Sequence, residues 1–461
     1  MSDAGIADIV ARARAAQARF EAGGSQERYD RAAQAVAWAI MEPGRNRALA
    51  ELAVASTGLG NVPDKITKNH RKTLGLMRDI AGVVTYGVIS DDPATGITEI
   101  ARPKGVVGAI VPSTNPAATP ANNVINALKC GNAIVVAPSP KGVACAERLI
   151  AYIHAEFAKI GEDPDLVQMI PAPGSKEKTQ ALMEACDMIV ATGSQNNVHR
   201  AQTAGTPAVA VGAGNVTVII DETATLGDAA EKIRASKCFD NATSCSSENA
   251  VVVVDAVYDG FIAAMAGAGG ALVADEAGIV AKLWPGGHLN RSVIAQDADK
   301  MIAALDLNVP DGTEYIAVPT KGIGPDHPLS GEKLSRVLAL YRAADFDEAV
   351  EITRAIQRHQ GAGHSVGLHS TRAERAMLLA TEIPTSRVIV NQAHTFATGG
   401  AFTNGMPFSL SMGCGTWGGN SVNENVNHRH FMQTTKIVRE IPAREPSLDE
   451  VFGSYWDAAG K

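Results

Sequence analysis

A chain of 461 residues is long enough for two or three domains, and with 46% hydrophobic and 20% charged residues it can bury a large core, which excludes a disordered protein. Its net charge, 41 − 49 = −8, excludes a typical nucleic-acid binder, which carries a basic surplus. No apolar run reaches the ~18 residues of a membrane span, Asp3, Asp8, Arg12 and Arg14 interrupt any secretory pattern, and the six cysteines form no Cys-x-x-Cys pair, so a cytoplasmic protein with no metal is expected.

In chain order, residues 1 to about 85 predict helices. Ile6, Ile9, Val10, Ala13 and Ala16 recur at helical spacing, and Ala32 to Ile40 continues the pattern. Stretches 84–89 and 97–102 alternate around the turn-rich segment 91–96, which predicts a β-hairpin. From residue 104 the pattern changes. Apolar runs at 106–111, 133–137, 188–191, 216–220 and 250–254 alternate with helical stretches. Such runs predict parallel strands buried on both faces, in a doubly wound α/β arrangement. Helices at 257–268, 345–357 and 373–380 and strands at 366–369 and 388–391 predict a second α/β domain. The expected boundary lies near residues 221–226. Residues 393–421, rich in Gly, Ser, Thr and Asn, have little periodicity and read as a functional loop.

Two familiar patterns are rejected on context. Gly413-Cys-Gly415-Thr-Trp-Gly418 matches G-x-G-x-x-G but opens no helix after an N-terminal strand. Gly363-His-Ser365-Val-Gly367 matches G-x-S-x-G, but a helix precedes it and a strand follows, the reverse of a nucleophile elbow. His428 and His430 have no third ligand nearby and read as surface residues. Cys245 is different. Small polar residues flank it before the run 250–254, so it sits in a loop with free N–H groups able to solvate a thiolate or an oxyanion. Taken alone, a buried inert cysteine is the commoner reading.

The surrounding blocks reverse that preference. Phe239-Asp-Asn with Cys245-Ser-Ser-Glu, Val111-Pro-Ser-Thr-Asn115-Pro116, Thr57 to Lys65, Val211-Gly-Ala-Gly-Asn215, Glu332-Lys-Leu-Ser335, Gly361-Ala-Gly-His364 and Leu410 to Ser421 occur in order. Together they resemble the CoA-acylating aldehyde dehydrogenases, from about residue 7 to residue 440. The resemblance implies an aldehyde dehydrogenase-like fold of two doubly wound α/β domains. A dinucleotide-binding domain at 1–224 would carry an oligomerisation hairpin at about 84–102. A catalytic domain at 225–425 and a C-terminal oligomerisation segment at 426–461 would follow. The iron-dependent alcohol dehydrogenase domain of bifunctional relatives has no counterpart in this sequence, so that second activity is not expected.

By the same resemblance Cys245 is the nucleophile, and the Asn115 amide with the Cys245 N–H holds the oxyanion. Asn115 before Pro116 also suits a plain turn. His364 is expected near the thioester, as the base for the CoA thiol or as a structural histidine. Hydrolytic relatives carry a glutamate base in the segment matching Val211 to Gly214, and none stands here. A thiol is then a better acceptor than water, so coenzyme A is the expected co-substrate. The implied dinucleotide site comprises Ser113, Thr114, Pro138, Ser139, Lys141, Thr192, Gly193, Ser194, Gly212, Gly214 and Glu332. Hydrolytic relatives often carry here a glutamate that repels a 2′-phosphate, and this sequence has Ser139, Pro140 and Lys141 instead, so NADP is expected over NAD.

The segment Val388 to Gln392 and Gly399 to Gly405 resembles the branch that acts on anionic aldehydes. Sulfoacetaldehyde, giving sulfoacetyl-CoA, is the expected substrate, with succinic semialdehyde and acetaldehyde as alternatives. His394, Thr395, Thr398, Thr403 and Asn404 are candidate donors to the acid group, and Arg387 is a candidate counter-charge or structural ion-pair partner. A homodimer or homotetramer is implied, since an exposed hairpin is marginal alone.

Overall fold

The computed structural model describes residues 3–461. Four helices lead the chain: Asp3–Ala22, Gln26–Met41, Pro43–Thr57 and Val62–Ile80. Their starts follow capping chemistry, with the Ser25 hydroxyl accepting from the Arg28 N–H and the Asn61 side chain from the Asp64 N–H. The fourth helix is unusual, because Lys65, Lys68 and Lys72 are all buried on one face. That face points at the centre of the molecule.

The hairpin forms as expected from β1 (Gly87–Asp92) and β2 (Ile97–Pro103). Five parallel strands then build the first sheet: β3 (Val106–Val111), β4 (Ala133–Pro138), β5 (Val167–Met169), β6 (Met188–Thr192) and β7 (Ala208–Val211). Their order is β5-β4-β3-β6-β7, so the winding reverses between β3 and β6. A crevice opens beyond the carboxyl ends of strands at such a switch point. The residues there are Pro112 to Asn115 after β3 and Gly193–Ser194 after β6.

The second sheet is also parallel. Its strands are β8 (Val216–Ile220), β9 (Glu248–Val254), β10 (Gly270–Leu272), β11 (Tyr315–Pro319), β12 (Val337–Ala343), β13 (Val366–His369) and β14 (Val388–Val390). They lie in the order β10-β11-β12-β9-β8-β13-β14. Both faces are apolar, with Val252 and Val254 packing on one side and Val251 and Val253 on the other. The run 216–220 therefore belongs to this sheet. The boundary between the sheets falls at residues 212–215 and not near 221–226.

Finally, β15 (Met432–Val438) pairs antiparallel with β2 and completes a three-stranded sheet. The last helix, Leu448–Ala459, has no buried residue and exposes Leu448, Val451, Phe452 and Tyr455. No helix among the described residues is long and apolar enough to cross a membrane.

Candidate active site

The crevice at the first sheet's switch point faces the amino ends of the second sheet. Between them lies a cavity of roughly 450 Å³. Strand order explains why its chemistry converges. Cys245 precedes β9, Gly214 precedes β8 and His364 precedes β13, and β8 lies between β9 and β13. Parallel strands sit about 4.8 Å apart, so these three loops are neighbours on one edge. Gly214 presses on the nucleophile loop, where a Cβ would come 2.0 Å from the Cys245 carbonyl oxygen. It shapes that loop and does not itself line the cavity.

The loop before Cys245 is held in a demanding conformation. Asp240, Asn241 and Ala242 have φ of 48°, 56° and 60°, left-handed values uncommon for residues other than glycine. Asp240 supports this conformation. Its fully buried carboxylate accepts from Lys65 Nζ (3.1 Å), Lys68 Nζ (2.5 Å), Thr243 Oγ1 (2.7 Å) and the Asn61 N–H (3.1 Å). The two lysines hold the Asp240 carboxyl below its ordinary range despite burial. Asn241 is tied by Arg336 and by Asp297, at 2.6 and 2.9 Å.

Lys68 has a second task. Its Nζ also donates to Asn115 Oδ1 at 3.0 Å. An ammonium can only donate, so the amide oxygen is assigned to that side. The Asn115 Nδ2 is left with a long 3.4 Å contact to Thr114 Oγ1 and is available to the cavity. The Cys245 N–H also has no acceptor in another residue among the described residues. Two donors are thus free where an oxyanion would develop.

Burial, followed by the nearby Glu332 carboxylate, pushes the Cys245 thiol up to about 12. It is therefore a thiol at rest and needs a base. His364 Nε2 lies 3.3 Å from its Sγ. Burial pushes the His364 imidazole down to about 3, so it is neutral at every physiological pH. The His364 Nδ1 lies 2.8 Å from Ser365 Oγ, which lies 2.8 Å from His394 Nε2. One proton order suits proton abstraction: Nδ1–H donates to Ser365 Oγ, the serine O–H donates to His394 Nε2, and His364 Nε2 accepts from the thiol. The Gly363-His-Ser365 segment thus supplies a relay behind the cysteine and not a serine nucleophile.

The other half of the cavity fits a dinucleotide. Thr192, Gly193 and Ser194 lead into helix Gln195–Thr203, whose first N–H groups face the crevice. The Ser139 Oγ is buried without a partner, an orphan that a ligand hydroxyl or phosphate could satisfy. Ser113, Thr114 and Gly212 line the same space. Glu332 is the one carboxylate in the lining, pushed up to about 7 by burial. Pro138 and Lys141 lie outside the lining, Pro138 buried at the end of β4 and Lys141 exposed on the turn after it.

The expected substrate donors separate. Thr395 lines the cavity, 6% exposed, and its Oγ1 has no partner. His394 belongs to the relay. Thr398 donates to the His394 carbonyl, Thr403 is exposed, and Asn404 is bound to Gln392 and Ala397. Arg387 is not a counter-charge in the cavity. It is buried and donates to the carbonyls of His364 (2.9 Å) and Gly413 (3.0 Å) and to Asn425 Oδ1 (3.1 Å), which fixes the histidine's backbone. Sequence reasoning passed over Lys68, Asp240 and Ser365. The one available signal was the sequence Phe239-Asp-Asn, since Asp and Asn tolerate left-handed backbone better than most residues. Among the described residues no cluster of three or more His, Cys, Asp or Glu is placed to hold a metal.

Comparison with known proteins finds the following similarities. Residues 1–277 match the model of the aldehyde dehydrogenase family. The chain is 56% identical over 460 residues to a sulfoacetaldehyde dehydrogenase (acylating) of Cupriavidus necator, covering 99% of this chain and 93% of the relative. Its structure resembles an acetylating aldehyde dehydrogenase from Geobacillus thermoglucosidasius at a TM-score of 0.92 and 29% identity, covering 96% of this chain and 98% of the other. It also resembles a propionaldehyde dehydrogenase of Rhodopseudomonas palustris, solved with bound CoA and an acylated cysteine, at a TM-score of 0.85 and 25% identity, covering 95% and 98%.

Proposed function

The chain belongs to the aldehyde dehydrogenase family, and within it we propose that it oxidises a short anionic aldehyde to its acyl-CoA, sulfoacetaldehyde before succinic semialdehyde. The observation that carries this reading is the 3.3 Å contact between Cys245 Sγ and the neutral His364 imidazole, in a cavity without a carboxylate at Val211 to Gly214. As Sγ adds to the aldehyde carbon, His364 Nε2 takes the thiol proton. The oxyanion of the resulting thiohemiacetal accepts from Asn115 Nδ2 and the Cys245 N–H. The nicotinamide, when bound, would supply the hydride acceptor, and Thr192 to Ser194, Ser139 and Glu332 would hold its dinucleotide. His364 gives that first proton up to solvent, takes the proton of the CoA thiol as that sulfur attacks the thioester, and returns it to the departing Cys245 sulfur, so the cycle releases one proton net. The same residues serve the reverse reaction, acyl-CoA reduction.

We assign a preference for NADP to Ser139 and the nearby Lys141, which offer a 2′-phosphate a hydroxyl and a cation in place of a repelling acid. The exposed apolar side chains of helix Leu448–Ala459 and the edge strand β15 support a homodimer or homotetramer. A monomer by light scattering would contradict the assembly.

The activity is tested by following nicotinamide absorbance with sulfoacetaldehyde, succinic semialdehyde and acetaldehyde, each with NAD or NADP, with and without CoA. Reduction is expected only with CoA, fastest with an anionic aldehyde and NADP. Equal turnover without CoA would overturn the acylating reading. It would point to Glu332, the lining carboxylate held near 7, as a base for water.

A further inference from the structure

We propose that Arg71, assisted by Thr395 and Lys72, forms the subsite that binds the acid group of the aldehyde. This inference rests on the reading above and names the side chains that select its substrate. Helix Val62–Ile80 carries Lys65, Lys68, Arg71 and Lys72 at positions that recur on one helical face. The first two share one counter-charge, Asp240. The other two have none among the described residues. Arg71 Nη2 donates to the carbonyls of Phe396 (2.8 Å) and Gly400 (2.9 Å), and Lys72 Nζ to those of Gly399 (2.5 Å) and Ser409 (3.0 Å). These acceptors are uncharged. Neither cation forms an ion pair among the described residues. Asp79, one acid whose field reaches Lys72, is taken up by Arg78 and by the Phe408 N–H.

Burial pushes the Arg71 guanidinium down to about 10 and the Lys72 ammonium well below its ordinary range, so both positive charges are disfavoured without an anion, and a ligand acid group beside them would restore them. Arg71 is also held in place. Its guanidinium stacks 5.0 Å from the centre of the Phe396 ring and 5.2 Å from that of Phe408. Its Nε and Nη1 have no acceptor among the described residues, which leaves single N–H donors for the oxygens of a carboxylate or sulfonate. Thr395, next in sequence to Phe396, supplies an independent sign of a ligand. Its Oγ1 is buried and unpartnered in the same lining, while its N–H is fixed by Ser236 Oγ at 2.8 Å. A guanidinium and a hydroxyl in the same lining as Cys245 suit an aldehyde bearing a terminal acid. An uncharged aldehyde leaves these groups unpaired, and a polar site of this kind discriminates strongly against it.

The test compares kcat/KM for sulfoacetaldehyde, succinic semialdehyde and propionaldehyde in the intact enzyme and in Arg71→Gln, Arg71→Lys and Thr395→Val. For Arg71→Gln the ratio of acid to uncharged aldehyde is expected to fall about 30-fold, chiefly through KM, as for loss of a charged hydrogen-bond partner. Arg71→Lys should recover part of it, and Thr395→Val, which keeps the shape, should lose roughly 5-fold. Ethanesulfonate, which has the acid but no carbonyl, should inhibit the unmutated enzyme competitively against the aldehyde. That measurement stands even if a variant fails to fold. If the enzyme prefers the acids but Arg71→Gln leaves the ratio unchanged, or ethanesulfonate does not compete, this subsite is wrong and the acylating reading is untouched. If the unmutated enzyme shows no preference for the acids, the anionic-substrate reading and this subsite both fall, while CoA-dependent turnover of propionaldehyde would keep the acylating chemistry.

Discussion

Cys245→Ala is expected to lower CoA-dependent aldehyde oxidation by on the order of 10⁴-fold, because no second group in the cavity can form the thioester. The alternatives are few. The remaining cysteines are buried, and only Cys245 reaches the cavity lining while touching a base. Dinucleotide affinity, read by quenching of protein fluorescence, should stay within about 2-fold, since the variant touches none of the groups around Ser139 and Thr192. A variant that retained turnover would move the nucleophile elsewhere. The resting state of this cysteine can be read as well. With burial holding the thiol near 12, the iodoacetamide rate at Cys245 should climb about 10-fold per pH unit from 7 to 10 without levelling. The same logic predicts no acid limb from His364. Its imidazole is neutral down to about pH 3, so protonating it cannot explain any loss of activity at pH 5 or 6.

Much of this could be read from residue order, and the parts that could not share a cause. Short apolar runs marked the strands of both sheets, and their near-continuous hydrophobicity marked them as buried on both faces. The run 216–220 looks the same whichever sheet it joins. Only pairing with β9 and β13 decides, and pairing is not a local property. Cys245, Asn115 and His364 were identified by motif, and the fold brings them to one place. Lys68 was not, because on a helix with many charges a lysine reads as solvated, and its burial depends on Asp240 more than 170 positions away. Arg71 was missed for the same reason. Arg387 was weighed as a counter-charge and, for its place at a strand start, as a structural ion-pair partner, but three uncharged acceptors behind His364 claim it. In each case the identity of a charged residue was plain, and the partner that gives it a role lay far along the chain.

Asp240→Asn should be the most damaging change away from the reacting atoms. The amide keeps the volume and can still accept from the Asn61 N–H, but it leaves two buried ammonium groups without their anion. Breaking a buried pair in this way costs about 3–5 kcal/mol, measured as a drop in the denaturant midpoint at constant slope. Activity should also fall, by roughly 10- to 100-fold in kcat, since Lys68 is no longer held where it orients the Asn115 amide. The pH dependence separates this cause from general damage. Burial already pushes the Lys65 ammonium below its ordinary range, and without Asp240 it is pushed further. The unfolded lysine then binds more protons than the folded one over the window between the two values, so the variant's stability must rise with pH there. The unfolded state is common to both proteins, so the deficit should shrink across the window between the folded lysine of the variant and that of the unmutated enzyme, both below the ordinary lysine range. Asp240 itself acts in the opposite range. Its depressed carboxyl contributes stability above the ordinary aspartate value, about 4, and that contribution is lost as the pH falls through the folded value. On the acid side, therefore, the unmutated enzyme should keep its advantage over Asp240→Asn until the pH falls through the depressed Asp240 value. A deficit independent of pH from 5 to 10 would show that the lysines do not depend on this carboxylate, and that the left-handed turn before Cys245 is held by its other contacts.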